Sequence, residues 1–137
     1  MADFAIEKKV YYHDTDSGGV VYYANYLKFM EEARTEFCLS RGVDVAEWFK
    51  KGIAFAVVHV EVDYKCPAQY GDTLRVTAAV EKLGNSSVHF YQETLNGDRI
   101  LVKARTVWAC VNKDFNSQSL PPEVRAGLGK EKGSKDA

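Results

Sequence analysis

Two carboxylates one residue apart, Asp14 and Asp16, stand directly ahead of the glycine pair Gly18 and Gly19 in the segment HDTDSGGVVYYANYLKFMEEAR, which begins at His13. That pattern admits three chemistries. An Asp-x-Asp pair can ligate Mg²⁺ or Ca²⁺ through oxygen. Aspartates can also take backbone N–H groups in a turn or near a helix N-terminus, which is worth ~0.3–1 kcal/mol at exposed sites. Finally, a carboxylate can serve as nucleophile or general base. The metal reading is the weakest: the next residues hold no third acidic ligand or calcium-loop Glu, and His13, His59 and His89 lack the paired helical spacing of a zinc site. No metal and no bound redox cofactor is expected. Asp14 adjoins a strand end and suits an Asx turn.

Asp16 has a sharper reading because of the residues C-terminal to it. Gly18 and Gly19 let the backbone approach a ligand without Cβ interference, and a helix starting after them offers unpaired N–H groups at its positive end. A carboxylate beside such a donor supplies two parts of an acyl-transfer site, a nucleophile or base and a pocket for the developing oxyanion. A GxSxG elbow is absent, and nothing around Ser17 marks it as a nucleophile.

These residues need elements to hold them. FAIEKKVYYH (4–13) reads as a strand that ends at the acidic pair. From Tyr22 to Arg41, Tyr22, Tyr26, Phe29, Met30, Ala33 and Phe37 recur at helical spacing, with Lys28, Glu31, Glu32, Arg34 and Glu36 on the other side and Gly42 as a C-terminal cap. A short helical piece is expected over 44–51. Strands are expected over 53–65, 73–83, 87–95 and 99–112, separated by the turn signals CPAQYGD, GNS and NGD and arranged as an antiparallel meander. From Lys113 the apolar periodicity fades, so the ordered core is expected over about 4–124 with a flexible tail. The expected class is α+β, a five-stranded antiparallel sheet wrapped around one long helix. The mixed outer face of VHVEVDY and LRVTAAVEKL points to assembly through an edge strand or sheet face.

Composition bounds the function. A chain of 137 residues, 46% hydrophobic, fits a single domain over 1–137. With 18 basic and 19 acidic residues it has no broad cationic field for nucleic acid or a membrane surface. No signal-peptide core and no apolar run of ~20 residues is present, so a cytoplasmic protein without membrane insertion is expected. Cys38, Cys66 and Cys110 are unpaired in pattern and read as small apolar residues.

The stretch VYYHDTDSGGVVYYANYLKFMEEARTEF resembles the signature of the 4-hydroxybenzoyl-CoA thioesterase-like branch of the hotdog-fold acyl-CoA thioesterases, including bacterial members associated with the Tol-Pal system. A weaker similarity runs through FAVVHVEVDYKCPAQYGDTLRV, so the resemblance covers roughly residues 5–112. It implies a hotdog fold, a homodimer or homotetramer with active sites at the subunit boundary, and hydrolysis of acyl-CoA thioesters to a free acid and CoA. CoA is then part of the substrate rather than a cofactor. The family's catalytic carboxylate falls on Asp16, not Asp14, and its carbonyl-polarising backbone amide on Tyr23. Gly18, Gly19, Val20, Tyr22 and Tyr26 are the candidate substrate contacts, with His59 and His89 as candidates to approach the substrate from a partner subunit.

Two departures matter. Many relatives read YHANY where this chain reads YYANY, so only the backbone role survives at Tyr23. The family's basic cluster near the turn between the third and fourth strands is replaced by uncharged LGNSS, leaving Lys65 or Lys82 as candidates for the nucleotide phosphates. A thioesterase acting on acyl carrier protein and a non-catalytic acyl-CoA-binding subunit are the alternatives. The cluster Tyr22, Tyr23, Tyr26 and Phe29 favours short-chain or aromatic acyl groups.

Overall fold

The computed structural model describes residues 4–129. In chain order it contains β1 (Phe4–Lys9), α1 (Asn25–Ser40), α2 (Val45–Lys50), β2 (Ala54–Tyr64), β3 (Thr73–Leu83), β4 (Ser87–Asn96), β5 (Arg99–Val111) and α3 (Pro122–Leu128). All strand pairs are antiparallel, in the order β1-β3-β4-β5-β2. Among the described residues no helix is long and apolar enough to cross a membrane.

The strand order corrects the expected four-strand meander. Only β3, β4 and β5 are joined by hairpins; β2 pairs with β5 at the far edge, and β3 pairs with β1. The length of the β2–β3 connection, residues 65–72, permits this order. Tight hairpins use two to five residues, whereas eight can reach ~26 Å, ample for the ~14 Å across three strand spacings. β1 is also shorter than expected: the Tyr11 N–H donates to Asp14 Oδ2 at 2.9 Å, and a 3-10 turn over Tyr12–Asp14 comes next.

Helix α1 lies in the curl of the sheet. Its Tyr26, Phe29, Met30, Ala33, Phe37 and Cys38 are buried, as their spacing requires. Phe37 meets Phe90 edge-on, and Phe90 meets Trp108 at 4.7 Å between ring centroids. The helix ends in a Schellman arrangement at Gly42 (φ 77°), with Val43 N–H donating to the Cys38 carbonyl and Gly42 N–H to Leu39. α2 is capped by Asp44, whose Oδ1 accepts the Ala46 and Glu47 N–H groups.

Arg34 departs from the expected polar stripe. It is only 6% exposed, donates from Nη1 to Gln92 Oε1 at 3.0 Å, and lies over the Trp108 ring. The amide of Gln92 donates in turn to the Met30 and Thr77 carbonyls at 3.0 and 3.1 Å. One β4 side chain thus ties the helix to β3 while accepting from a buried cation, whose pKa burial pulls below the ordinary guanidinium value.

The segment from Lys113 also differs from expectation. It crosses back and forms α3, with Leu120, Val124, Gly127 and Leu128 buried and Arg125 Nη2 donating to the Gly84 carbonyl at 2.8 Å. Pro122 at the first helical position is prearranged for that start. Residues 130–137 of the expected flexible tail lie outside the described residues.

This packing sets two stability outcomes. Gln92→Leu strands the Arg34 guanidinium and two carbonyls, and should lower unfolding free energy by about 3 kcal/mol in a urea titration. An unchanged midpoint would show that the network does not matter. A Cβ at Gly127 would lie 2.7 Å from the Arg41 carbonyl oxygen and 2.9 Å from Val43 Cγ2. Gly127→Ala should therefore cost about 1–3 kcal/mol, where the same change in an open helix would stabilise it. A thermal midpoint that rises would show that α3 is not seated on the end of α1.

Candidate active site

The acidic segment folds as a small hairpin over residues 15–21. Thr15 bridges Val21, Asp16 N–H donates to the Val20 carbonyl at 2.9 Å, and Gly19 N–H donates to the Asp16 carbonyl at 3.0 Å. Gly19 sits at φ 82°, where an L side chain is strained, and completes the three-residue turn. Gly18 N–H donates to Asp16 Oδ1 at 2.8 Å, an Asx turn, and a Cβ on Gly18 would come to 3.2 Å from that oxygen. The glycine pair therefore shapes the turn that carries Asp16, and neither glycine lines the cleft beside it.

The two aspartates have separate roles in this geometry. Asp14 is buried, its carboxylate accepting Tyr11 N–H and its carbonyl accepting Tyr22 N–H and Asn25 Nδ2, both at 2.9 Å. It joins the end of β1 to the entry of α1, a structural role as expected, but the Asx turn expected at Asp14 forms at Asp16 instead, because the Asp14 carboxylate accepts the N–H of Tyr11, three residues before it. Asp16 is exposed, with Oδ1 held by Gly18 and Oδ2 without a hydrogen-bond partner among the described residues.

The entry to α1 starts later than the expected Tyr22, because residues 22–24 turn tightly. Asn25, Tyr26 and Leu27 donate to the carbonyls of Tyr22, Tyr23 and Ala24. Tyr22 N–H is taken by Asp14, which leaves the Tyr23 N–H as the first amide without an acceptor among the described residues. It lies at the positive end of a 16-residue helix.

Around it is a cleft of about 290 Å³ lined by Asp16, Val20, Val21, Tyr23, Tyr26, Tyr64, Lys65, Cys66 and Pro67. Its far wall is the crossing segment between β2 and β3. That segment is pinned on both sides: Val21 N–H donates to the Ala68 carbonyl at 2.8 Å, and Ala68 N–H donates to Tyr26 Oη at 2.9 Å. Tyr64 Oη donates to the Tyr23 carbonyl at 3.2 Å, and its ring meets Tyr23 edge-on at 6.0 Å. Burial raises the phenol pKa of Tyr26 and of Tyr64, so both stay neutral and act as donors, acceptors and apolar walls.

The structure thus brings together Asp16, Val20, Tyr23 and Tyr26 of the expected set. Tyr22 is exposed beside Tyr23, at 5.0 Å between rings, but does not line the cleft. His59 is on the exposed surface of β2, 2.9 Å from Glu61, and lies outside the cleft of this chain. Phe29 is a core residue, 2% exposed. Sequence reasoning missed Tyr64, Cys66 and Pro67. The alternation Val60, Val62, Tyr64 was the available signal for Tyr64, whereas the two loop residues depend on the crossover. Among the described residues no group of three or more His, Cys, Asp or Glu is placed to hold a metal ion.

Comparison with known proteins gives this geometry a context. The family model "Thioesterase superfamily" matches residues 18–107. An acyl-CoA thioesterase YbgC from Haemophilus influenzae is 34% identical over 127 residues, covering 91% of this chain and 93% of that protein. An acyl-CoA thioester hydrolase YbgC from Escherichia coli O6:H1 is 32% identical, covering 86% and 90%. Among solved structures, a 1,4-dihydroxy-2-naphthoyl-CoA thioesterase from Synechocystis superposes with a TM-score of 0.86 at 25% identity, covering 92% of this chain and 95% of that one. With the family model matched over more than half of the chain and a relative 34% identical over 127 residues, the chain belongs to the thioesterase superfamily.

Proposed function

We propose that the protein hydrolyses acyl-CoA thioesters to a carboxylic acid and CoA, with Asp16 and the Tyr23 amide as its catalytic groups. The observation that carries this reading is the pairing, in one cleft, of a carboxylate and a helix-start residue whose Oδ2 and N–H, respectively, have no partner among the described residues. The thioester carbonyl oxygen accepts the Tyr23 N–H, where the helix dipole favours negative charge. As the carbonyl carbon becomes tetrahedral, that donor stabilises the oxyanion; loss of such a preorganised donor costs roughly 2.7–4 kcal/mol in the barrier. Asp16 either attacks the carbonyl carbon, giving an anhydride that water opens, or removes a proton from the attacking water. Both routes end with the carbon–sulfur bond broken and CoA leaving as its thiol.

The 1,4-dihydroxy-2-naphthoyl-CoA named for the Synechocystis relative favours an aromatic acyl group, and the cleft walls agree with a compact one. Tyr23, Tyr26 and Tyr64 surround a volume of about 290 Å³, room for a compact acyl group. The unpaired edge of β2 favours a homodimer or homotetramer. Val57, Val58 and Val60 there are 49, 61 and 39% exposed, an apolar edge that a soluble monomer would ordinarily blunt. A second chain on that edge also offers the route by which a partner's His59 would meet the substrate. Three cysteines without a disulfide suit a reducing, cytoplasmic setting.

The test is thiol release from a panel of acyl-CoA esters by the natural protein and by Asp16→Asn. The asparagine keeps an oxygen for the Gly18 N–H, so the turn survives. Turnover should fall at least a hundredfold with an unchanged circular dichroism spectrum and thermal midpoint. Equal rates for the two proteins would remove Asp16 from the mechanism, and no thiol from any ester would remove the hydrolase reading itself.

A further inference from the structure

If the substrate is an acyl-CoA, the reading on which this inference rests, the cleft beside Asp16 accounts for only one end of it. A volume of about 290 Å³ accepts the acyl group and the start of the pantetheine arm, so the nucleotide with its diphosphate and 3′-phosphate lies elsewhere. The β3–β4 turn is a poor place for it: Leu83–Ser87 carries no cationic side chain, and Arg125, which reaches that turn, donates to the Gly84 and Asn85 carbonyls at 2.8 and 3.2 Å. Lys82, at the end of β3, does not line the cleft beside Asp16.

A second cleft, of about 250 Å³, opens on the outer face of the sheet where β2, β5 and β4 run side by side. Its wall carries Glu61, Asp63, Lys65, Tyr91, Lys103 and Arg105, and Lys82 is not part of it either. Lys65 belongs to both clefts and is the one residue common to them. The side-chain charges of the second cleft are unequally committed. Arg105 donates to both carboxylate oxygens of Glu81, at 3.0 and 3.2 Å, and Glu61 is taken by His59 at 2.9 Å. Asp63 stands opposite Lys103 across the strand pair, yet neither it nor Lys65 or Lys103 is in an ion pair within 4.0 Å among the described residues.

We infer that this outer cleft is the phosphate-binding site for the CoA moiety, with Lys65 at the exit of the pantetheine arm and Lys65 and Lys103 as the cations that hold the phosphates. Lysine suits this role as a mobile point charge that accepts phosphate without a fixed fork geometry. Asp63 opposes them. A carboxylate facing the phosphates limits how tightly CoA is held, which an enzyme releasing CoA as product requires, since uniform tight binding adds nothing to turnover once the site is filled.

The two signs of charge make the test directional. Titration calorimetry with CoA itself, at low ionic strength, compares the natural protein with Lys65→Gln/Lys103→Gln and, separately, with Asp63→Asn. The double variant should weaken Kd at least tenfold and Asp63→Asn should tighten it about threefold or more. The same Kd for all three proteins, or no binding of CoA to the natural protein, would overturn the site. Thiol release from an acyl-CoA and from the matching acyl-pantetheine, run alongside, separates this inference from the catalytic one. Hydrolysis with CoA binding insensitive to the lysines overturns the phosphate site alone. Lysine-dependent CoA binding without hydrolysis supports the site and removes only the catalytic reading.

Discussion

The connection between β2 and β3 is the constraint on which the site depends. Because β2 pairs with β5 rather than β3, residues 65–72 must cross the end of the sheet. The crossing passes the entry of the helix, and there its backbone groups need partners. It finds them in the hairpin, through Val21 and the Val20–Gln69 bridge, and in the helix, through Tyr26 Oη. Lys65 and Cys66 N–H groups both reach back to the Leu101 carbonyl on β5, at 2.8 and 3.1 Å. A loop satisfied in this way is a wall, and the cleft is the space it encloses against Asp16 and Tyr23.

The same demand of backbone donors for partners explains why one aspartate is buried and its neighbour exposed. Asp14 satisfies groups from the strand and from the helix entry, so it fixes their relative position. By taking the Tyr22 N–H it also determines which amide remains. The Tyr23 N–H is then left without an acceptor among the described residues, ahead of α1, which begins at Asn25. Asp16 sits two positions beyond Asp14, on the hairpin, where Gly18 steadies one oxygen and leaves the other for chemistry. A single intervening residue thus separates a structural carboxylate from a candidate catalytic one.

Legibility in the sequence tracks the range of the interactions involved. Helix α1, its Gly42 cap, the Asp44 cap and the strand segments rest on local periodicity and turn chemistry, and they are readable within a few residues. The place of β2 is not, since eight residues of turn-rich loop look alike whether they close a hairpin or cross a sheet. Arg34 escapes the helix pattern for the same reason. Its burial depends on Gln92, 58 positions away, and on Trp108 beneath it, and neither leaves a mark on the local spacing. The α3 helix has local signals in Pro121, Pro122 and the Val124–Leu128 spacing, but seven residues are too few for a periodicity to stand out. In the site, Asp16 and Tyr23 come from one contiguous segment, whereas Tyr64, Cys66 and Pro67 come with the crossover.

Strand β2 links the cleft to whatever covers the sheet edge. Its last residue, Tyr64, is a wall of the cleft beside Asp16 and donates to the Tyr23 carbonyl, while Val57, Val58 and Val60 a few residues earlier stand exposed on the edge. In the proposed assembly, a second chain would supply hydrogen bonds to that edge and withdraw those valines from water. The strand would then be held on both sides, and so would Tyr64. Any motion of Tyr64 is felt at Tyr23, through the hydrogen bond to its carbonyl and the edge-on ring contact. In the proposed mechanism, preorganisation of the amide donor, which must be in place before charge develops on the thioester oxygen, then depends partly on an edge that one chain leaves unpaired. On this reading the association of subunits and the reactivity of the site are coupled through one strand, even if every catalytic group belongs to a single chain.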